Sequence, residues 1–536
     1  MINSHQTYLT MKKWFLIITA VCLGTCFGRQ APAASPGSKI PEVWVHLPDI
    51  PLLKRHHHNP LLCIRIYVPE GNAPVLERIR ASINAAAQQN FDHLLVYGNV
   101  REPQPDTSLV HTTFQPLTKA GEISIPVNLP LQQGWNYIWL GTLLKPDADP
   151  DSRPLVQILG LTDRSGKGYP VSKTTGIPEK RIGISIRKPG DGRVHTYRIP
   201  GIARTDKGTL IAVYDNRYNS SKDLPGNVDI GMSRSTDGGK SWEPMKVIMD
   251  MGEPHGQNGI GDPTVLFDPA TGKIWVAALW SKGDRSIAGS EPGLSPDQTG
   301  QLMLVSSEDD GKTWSAPYNI TAQVKNPKWH ICFNGPGNGI VMKDGTLVFP
   351  SQYWDESAKP GIPHSSVLYS KDHGKTWHMG TGAKSQTTES QVVETTPGTL
   401  MLNMRDNLGF FRSVATTRDL GKTWQEHPTS YHALQDPICM ASLIKASVRV
   451  KGVLKEVLFF SNVNTSSVEH SRKNMTIKAS LDLGETWTPA HQLLLDERYG
   501  YGYSSLVQLD ERTIGILYEG IGELNFLRIP VNEIIK

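Results

Sequence analysis

An eight-residue pattern, S/T-x-D-x-G-x-S/T-W, occurs five times in this 536-residue chain, and that recurrence limits the fold more than any other feature. The copies are Ser235–Trp242, Ser307–Trp314, Ser370–Trp377, Thr417–Trp424 and Ser480–Trp487. Each follows an apolar or alternating run, such as Gln301-Leu302-Met303-Leu304-Val305-Ser306, which suits a strand entering a tight turn. In such a turn the Asp accepts hydrogen bonds from amides a few residues on. The Gly permits a positive φ, and the Trp supplies a large apolar body to bury. The box therefore reads as a hairpin clasp, not a catalytic element. Successive tryptophans are 72, 63, 47 and 63 residues apart. That spacing fits four-stranded blades with loops of variable length, and hence a β-propeller.

Composition agrees. The chain is long enough for two or more domains with real cores. Gly (49), Pro (38) and Trp (13) are plentiful and helical heptads are absent, which favours an all-β protein rich in turns. The 55 basic and 51 acidic residues nearly balance, so nothing calls for a nucleic-acid partner. Met11-Lys12-Lys13 precede an apolar run from Trp14 to Leu23 with small residues after it. This is the n-region and h-region of a secretory signal, so 1–27 reads as a signal peptide, with Met11 an alternative start. The expected location is periplasmic or extracellular. Cys22 and Cys26 stand where a lipoprotein cysteine would, yet Val21 and Thr25 before them are poor small residues, so lipid anchoring stays open. No other apolar run is long enough to span a membrane. Cys63, Cys332 and Cys439 are far apart and odd in number, which predicts buried free thiols.

Residues 28–39, rich in Ala, Pro, Ser and Gly, read as a linker. Residues 40–180 carry no box. Leu61–Val68, Phe91–Tyr97, Ile123–Leu129, Trp135–Leu140 and Val156–Leu161 are strand-like there, and Leu76–Ala87 is a helix or a further strand. These short runs predict a β-sandwich. Its role stays open between glycan binding and packing support. His56-His57-His58 lies in a polar loop near prolines, with no second ligand cluster to suggest a metal. The propeller spans 181–536, enough for five to seven blades at the observed spacing. The strands near Ile182–Ile186 and Phe526–Ile529 are expected to share one blade and close the ring, which removes sheet edges.

The repeated box together with the motifs below resembles the bacterial exo-sialidases, of the glycoside hydrolase family 33 type. The resemblance covers 181–536 well and the N-terminal domain only loosely, where it suggests a carbohydrate-binding-module-like fold. It implies six blades. A sialic acid carries a carboxylate on its anomeric carbon, and Arg suits a cationic clamp for it through its planar fork and permanent charge. The family's three arginines match Arg198 in Tyr197-Arg198-Ile199-Pro200, Arg405 in Leu402-Asn403-Met404-Arg405-Asp406, and Arg472 in Arg472-Lys473-Asn474-Met475-Thr476-Ile477. Sialidases use a Tyr nucleophile, an exception among glycosidases. A neutral Tyr avoids repulsion by the substrate carboxylate once a base takes its proton. Tyr503 in Gly502-Tyr503-Ser504-Ser505 matches that motif, with Tyr499 and Tyr501 as neighbours lacking the Ser-Ser.

The base is expected at Glu389 in Glu389-Ser390-Gln391-Val392-Val393-Glu394, with Glu394 the fallback. Five apart on a strand, the two face opposite sides. The resemblance places the general acid at Asp223, after Tyr214-Asp215-Asn216-Arg217, with Asp215 orienting Arg217. It further implies that Arg217 and Asp262 contact the sugar near O4 and that Glu519 steadies the first arginine. The expectation is a retaining exo-α-sialidase, a monomer acting on sialylated glycoproteins, glycolipids and oligosaccharides, with no metal or organic cofactor. The alternatives are a sialic-acid-binding propeller without catalysis and a trans-sialidase. The latter needs an aromatic acceptor platform, for which Trp329, Tyr353 and Trp354 are the candidates.

Overall fold

Each inner strand of this molecule is the first of an antiparallel meander, and six such meanders surround a common axis. The computed structural model describes residues 42–71, 73–100, 110–114, 117–465 and 471–536. The segments read from sequence as signal and linker, with Cys22 and Cys26, lie outside the described residues. Blade 1 runs Thr196–Arg204, Leu210–Arg217, Val228–Ser235 and Lys246–Met249 from the inside outward. Blade 2 starts at Ile260–Asp268, blade 4 at Thr387–Thr396 and blade 5 at Ser442–Val450. In blade 3 the inner edge is split between Ile331–Asn334 and Ile340–Val341, both paired with Leu347–Trp354. Blade 6 takes three strands from the C-terminus, Ser504–Asp510, Thr513–Glu519 and Leu524–Pro530, and its outer strand, Ile182–Arg187, from the other end of the propeller. Ile184 pairs with Phe526, so the ring closes as expected.

The five boxes sit between the third and fourth strands of blades 1 to 5 and share one geometry. In the third, Asp372 accepts from the Thr376 amide at 2.9 Å and from the Thr376 and Ser370 hydroxyls at 2.6 and 2.8 Å, while the Gly374 amide donates to Ser370 Oγ. These donors hold the Asp372 carboxyl down at about 2, although partial burial works against them. Gly374 has φ +84°. A Cβ there would lie 2.3 Å from the Trp275 ring, which stacks edge-on against the box tryptophan Trp377. Gly374→Ala therefore combines left-handed strain with overpacking. The expected loss is about 2–4 kcal/mol, read as a lower denaturant midpoint at unchanged m.

The N-terminal strands follow the path Val110–Phe114, Phe91–Val100, Gly134–Leu144, Asn59–Val68, Glu42–Leu47, Gly168–Gly176, Val156–Asp163, Val75–Ile83, Gly121–Pro130. All five strand-like runs are strands, and the ambiguous segment resolves into the strand Val75–Ile83 followed by a short helix, Ala85–Asn90. One apolar cluster joins both halves of the path, with Ile64, Val96 and Ile138 meeting Ile79, Ile125 and Ile158. The sheet thus folds over so that its two inner faces share a core.

The sequence boundary at 180 is crossed by a short strand. Leu52–Lys54 pairs in parallel with Ile182–Ile184 on the outside of blade 6. Around it lie the ion pairs Arg55–Asp191 (2.7 Å), Arg153–Glu533 (2.7 Å), Arg181–Glu533 (2.8 Å) and Arg528–Asp151 (2.7 Å). Half-exposed pairs of this kind contribute little singly; the shared strand is the firmer tie. Cys63, Cys332 and Cys439 are buried and free, and burial lifts the Cys63 and Cys332 thiols to about 12.

Candidate active site

The inner strands of blades 1, 2 and 4 each break register near their first residues, between Arg198 and Gly201, Gly261 and Thr264, and Thr387 and Ser390. A bulge re-aims the side chain it carries. These three turn Arg198, Asp262 and Glu389 toward the same end of the propeller axis. Ile199 and Asp262 both have φ +57°, uncommon for any residue but glycine and rarest for the β-branched Ile199. The prolines that follow, Pro200 and Pro263, have no amide to give a ladder.

Glu519 organises one wall. Its side chain is fully buried, and Oε1 accepts from Arg198 Nε (3.0 Å) and the Ile199 amide (2.8 Å). Oε2 accepts from Arg198 Nη2 (3.2 Å) and the Tyr503 amide (2.9 Å). One carboxylate thus fixes the first arginine, the strained residue after it, and the backbone of Tyr503. The Arg198 guanidinium lies 5.0 Å from the Tyr503 ring centroid and 4.7 Å from that of Tyr501.

The Tyr503 hydroxyl donates to Glu389 Oε1 at 2.5 Å. Arg405 Nη1 donates to Glu389 Oε2 at 2.5 Å and to Tyr503 Oη at 3.1 Å. Tyr503 is 6% exposed. Burial, and then the Glu389 charge, push its phenol well above the usual range, while Arg405 and Arg472 pull it down. Arg405 Nε is buried without a hydrogen-bond partner. Arg472 donates to the Tyr501 carbonyl at 2.8 Å and lies 5.7 Å from the Tyr503 ring. Three arginines face two glutamates here, which leaves this wall one positive charge in surplus.

The opposite wall is acidic. Asp215, Asp223 and Asp262 each bring a carboxylate oxygen within 4.8 Å of the others. Arg217 threads between them, donating to Asp215 Oδ2 (3.0 and 2.8 Å), Asp223 Oδ1 (3.2 Å) and the Ser221 carbonyl (3.0 Å). The orienting role foreseen for Asp215 is what its contacts with Arg217 describe. The Arg217 side chain is 2% exposed, so its charge stays within the trio, while the Asp223 side chain is 51% exposed on its loop. Asp215 also accepts from the Asp262 amide at 2.9 Å. Burial lifts the Asp215 carboxyl to about 6, and burial, followed by the like charges of Asp223, Asp215 and Glu389, lifts Asp262 well above the usual carboxylate range.

A carboxyl raised on folding binds extra protons in the native state, so the stability it costs at neutral pH is recovered as pH falls toward the ordinary carboxylate value of about 4. Asp262→Asn removes one like charge and keeps a side chain that tolerates positive φ. Its Tm is expected to exceed that of the unmodified protein by about 1–3 °C at pH 7, with the gap closing by pH 4.

The remaining candidates lie elsewhere. Glu394 is at the far end of its strand and accepts from the Lys343 and Gly398 amides, both at 2.8 Å, so it caps a turn away from Tyr503. Tyr499 is 44% exposed. Tyr501 covers Arg198 and holds Arg472 through its carbonyl. Tyr353 is stacked between Trp329 (3.8 Å) and His364 (5.2 Å), so both its faces are covered. Trp354 is half-buried against the cluster that contains Leu224, the neighbour of Asp223.

Sequence reasoning missed the layer behind the arginines. Arg412, fully buried, donates to Asn403 Oδ1 (2.8 Å) and the Cys439 carbonyl (2.6 Å) and faces Asp436 at 3.5 Å. The signal was present in Asp436-Pro437-Ile438, which repeats the Asp-Pro of the second blade and again has a residue at φ +57°.

A family model described as a BNR repeat-like domain matches residues 208–517. The chain is 49% identical over 412 residues to a sialidase of Bacteroides fragilis (strain YCH46), covering 75% of this chain and 74% of that one. It is 34% identical over 341 residues to a sialidase of Micromonospora viridifaciens, covering 62% of this chain and 51% of that longer protein. Among solved structures, the Hadza microbial sialidase Hz136 superposes with a TM-score of 0.84 at 40% identity, over 92% of this chain and 100% of the other. The five clasps, the six blades, the arginine wall around a Tyr–Glu pair and these likenesses lead to one conclusion: the chain belongs to the bacterial exo-sialidase family.

Proposed function

We propose that this protein is a retaining exo-α-sialidase that releases terminal sialic acid from glycoproteins, glycolipids and oligosaccharides through a sialyl-tyrosine intermediate. The observation that carries the reading is the 2.5 Å hydrogen bond from Tyr503 to Glu389, with Arg405 held against both. Arg198, Arg405 and Arg472 take the substrate carboxylate, which also supplies an acceptor for the unpaired Arg405 Nε. Asp223 protonates the leaving glycosidic oxygen. Tyr503 passes its proton to Glu389 and attacks the anomeric carbon through an oxocarbenium-like transition state. Asp223 then takes a proton from a water that attacks the same carbon; the bond to Tyr503 breaks, the phenolate recovers its proton from Glu389, and the sugar is freed. Arg217 and Asp262 line the neighbouring wall, toward O4. The leader pattern of 1–27 supports export.

The test is proton NMR of the reaction on α2,3-sialyllactose. Two inversions at the anomeric centre release the α-anomer first, before mutarotation. A β-anomer appearing first would sink the covalent step. As a check on the clamp, Arg472→Met is expected to lower kcat/KM by about 10- to 100-fold, mostly through KM, from the loss of a charge-assisted contact of about 1.5–3 kcal/mol.

The N-terminal domain is proposed to hold the polymeric substrate. On its outer face the half-buried rings of Trp44 and Tyr67 approach Trp135 at 5.5 and 5.4 Å, and the Lys173 ammonium lies 5.6 Å from the Trp44 ring. Such a cluster stacks on sugar C–H faces and offers a cation to an acidic glycan. Trp135→Ala is expected to slow sialic acid release from mucin severalfold and leave sialyllactose turnover unchanged. Equal rates on mucin would assign the face to packing.

A further inference from the structure

The loop that carries His56-His57-His58 has no part in the chemistry above, yet it touches the back of the arginine wall. His56 Nε2 lies 2.9 Å from Glu523 Oε2 and 2.9 Å from Ser185 Oγ. Ser185 Oγ donates to Asn525 Oδ1 at 2.5 Å, and Asn525 Nδ2 donates to Glu523 Oε1 at 3.1 Å. The four side chains form a closed ring. Ser185 and Asn525 are fully buried, and His56 and Glu523 nearly so, at 21% and 14% side-chain exposure.

The proton inventory of this ring is determined. Ser185 has one hydroxyl hydrogen, and it goes to Asn525 Oδ1, which can only accept. The contact between Ser185 and His56 therefore needs a hydrogen on Nε2, and the Glu523 carboxylate needs the same. His56 acts as a donor, neutral or charged.

Glu523 closes the turn that follows Glu519. The Gly520 amide donates to the Glu523 carbonyl at 3.0 Å, and the Tyr501 amide donates to the Gly520 carbonyl at 3.1 Å. The Tyr501 carbonyl accepts from Arg472 at 2.8 Å, and the Gly500 amide donates to the Arg472 carbonyl at 3.0 Å. At its other end the turn begins at Glu519, which holds Arg198. One short turn thus supports two of the three arginines, and its far side rests on a histidine from outside the propeller.

We infer that His56 is a positioning residue for sialoside binding: through Glu523 and the turn 519–523 it sets Arg198 and Arg472 at the spacing that grips the substrate carboxylate. The N-terminal segment is in this sense part of the catalytic unit. The inference rests on the proposed role of the arginines as the carboxylate clamp. Glu389 and Asp223 are outside the chain of bonds, and Tyr503 meets it only through its backbone at the buried Glu519; its reacting hydroxyl is held by Glu389 and Arg405 instead, so the chemical step is left alone. Loosening the support raises KM and leaves kcat in place, because the lost interaction is made in the ground state and transition state alike.

The experiment uses the full chain with α2,3-sialyllactose as substrate and free sialic acid as a competitive product inhibitor. His56→Ala is expected to raise KM and the inhibition constant together by about 3- to 10-fold, with kcat within twofold. His56→Gln places an amide nitrogen with two hydrogens near the Nε2 position and is expected to restore both constants. If His56→Ala does not give soluble protein, Glu523→Gln, which puts an NH2 against one of the two donors of the ring, is expected to show the same split. A merely structural role would lower Tm and the active fraction without moving KM. KM and the inhibition constant unchanged in His56→Ala, or raised equally in His56→Gln, would overturn the inference. Arg472→Met is measured beside them. Should that variant also keep its KM, the clamp itself fails; should it alone lose affinity, only the role of His56 fails.

Discussion

Replacing Tyr503 with Phe is expected to lower kcat on sialyllactose by about three orders of magnitude or more, with the fold and the substrate affinity nearly intact. The ring is held by more than its hydroxyl. It is 6% exposed, packed in the core between blades 5 and 6, and flanked by Arg198 and Arg472. The substitution keeps those contacts and removes the single atom that Glu389 and Arg405 share. Steady-state rates with a thermal melt beside them check it. A tenfold loss or less would mean that another group attacks, and the exposed Tyr499 and the backbone-anchoring Tyr501 would then need testing in turn.

The second large effect belongs to Asp223. Asp223→Ala is expected to cost about 10²- to 10⁴-fold in kcat/KM on sialyllactose, the usual worth of a positioned general acid. On an aryl sialoside, whose phenolate leaves without protonation, the loss should shrink to about tenfold or less. This contrast separates the acid from a residue that only shapes the loop. Asp223 is the exposed member of its trio, and Arg217 anchors it from beneath. Equal losses on both substrates would remove Asp223 from proton transfer and make it a loop support.

Different parts of the molecule were legible to different degrees, for physical reasons. The boxes could be read outright because their hydrogen bonds close within four residues, from Asp372 to Thr376 for example. Ring closure was legible because both ends of the propeller are apolar strands left without a blade. The site residues were reached through resemblance, since the contact that defines the first arginine spans 321 positions, from Arg198 to Glu519. No periodicity reports such a pair. The positive φ of Ile199 and Asp262 was hidden for a related reason, because those conformations are imposed by the buried Glu519 and Asp215 that receive their amides. Leu52–Lys54 was invisible as a propeller strand because three residues carry no alternation to read. Arg412 and Asp436 went unnoticed because a buried ion pair looks, in sequence, like two surface charges.

The closure of blade 6 also sets a timetable. The outer strand Ile182–Arg187 leaves the ribosome more than three hundred residues before its partner Leu524–Pro530. Domains form from the N-terminus as synthesis proceeds, so blades 1 to 5 can stack while that edge still waits. Tyr503, the proposed nucleophile, and the carboxylate Glu519 both belong to the last blade made. A nascent chain therefore carries Arg198, Asp223 and Arg405 long before Tyr503 joins them. On the proposed mechanism, competence arrives with the final blade, in the same event that seals the ring, and a chain cut short of it is expected to be both open and inactive.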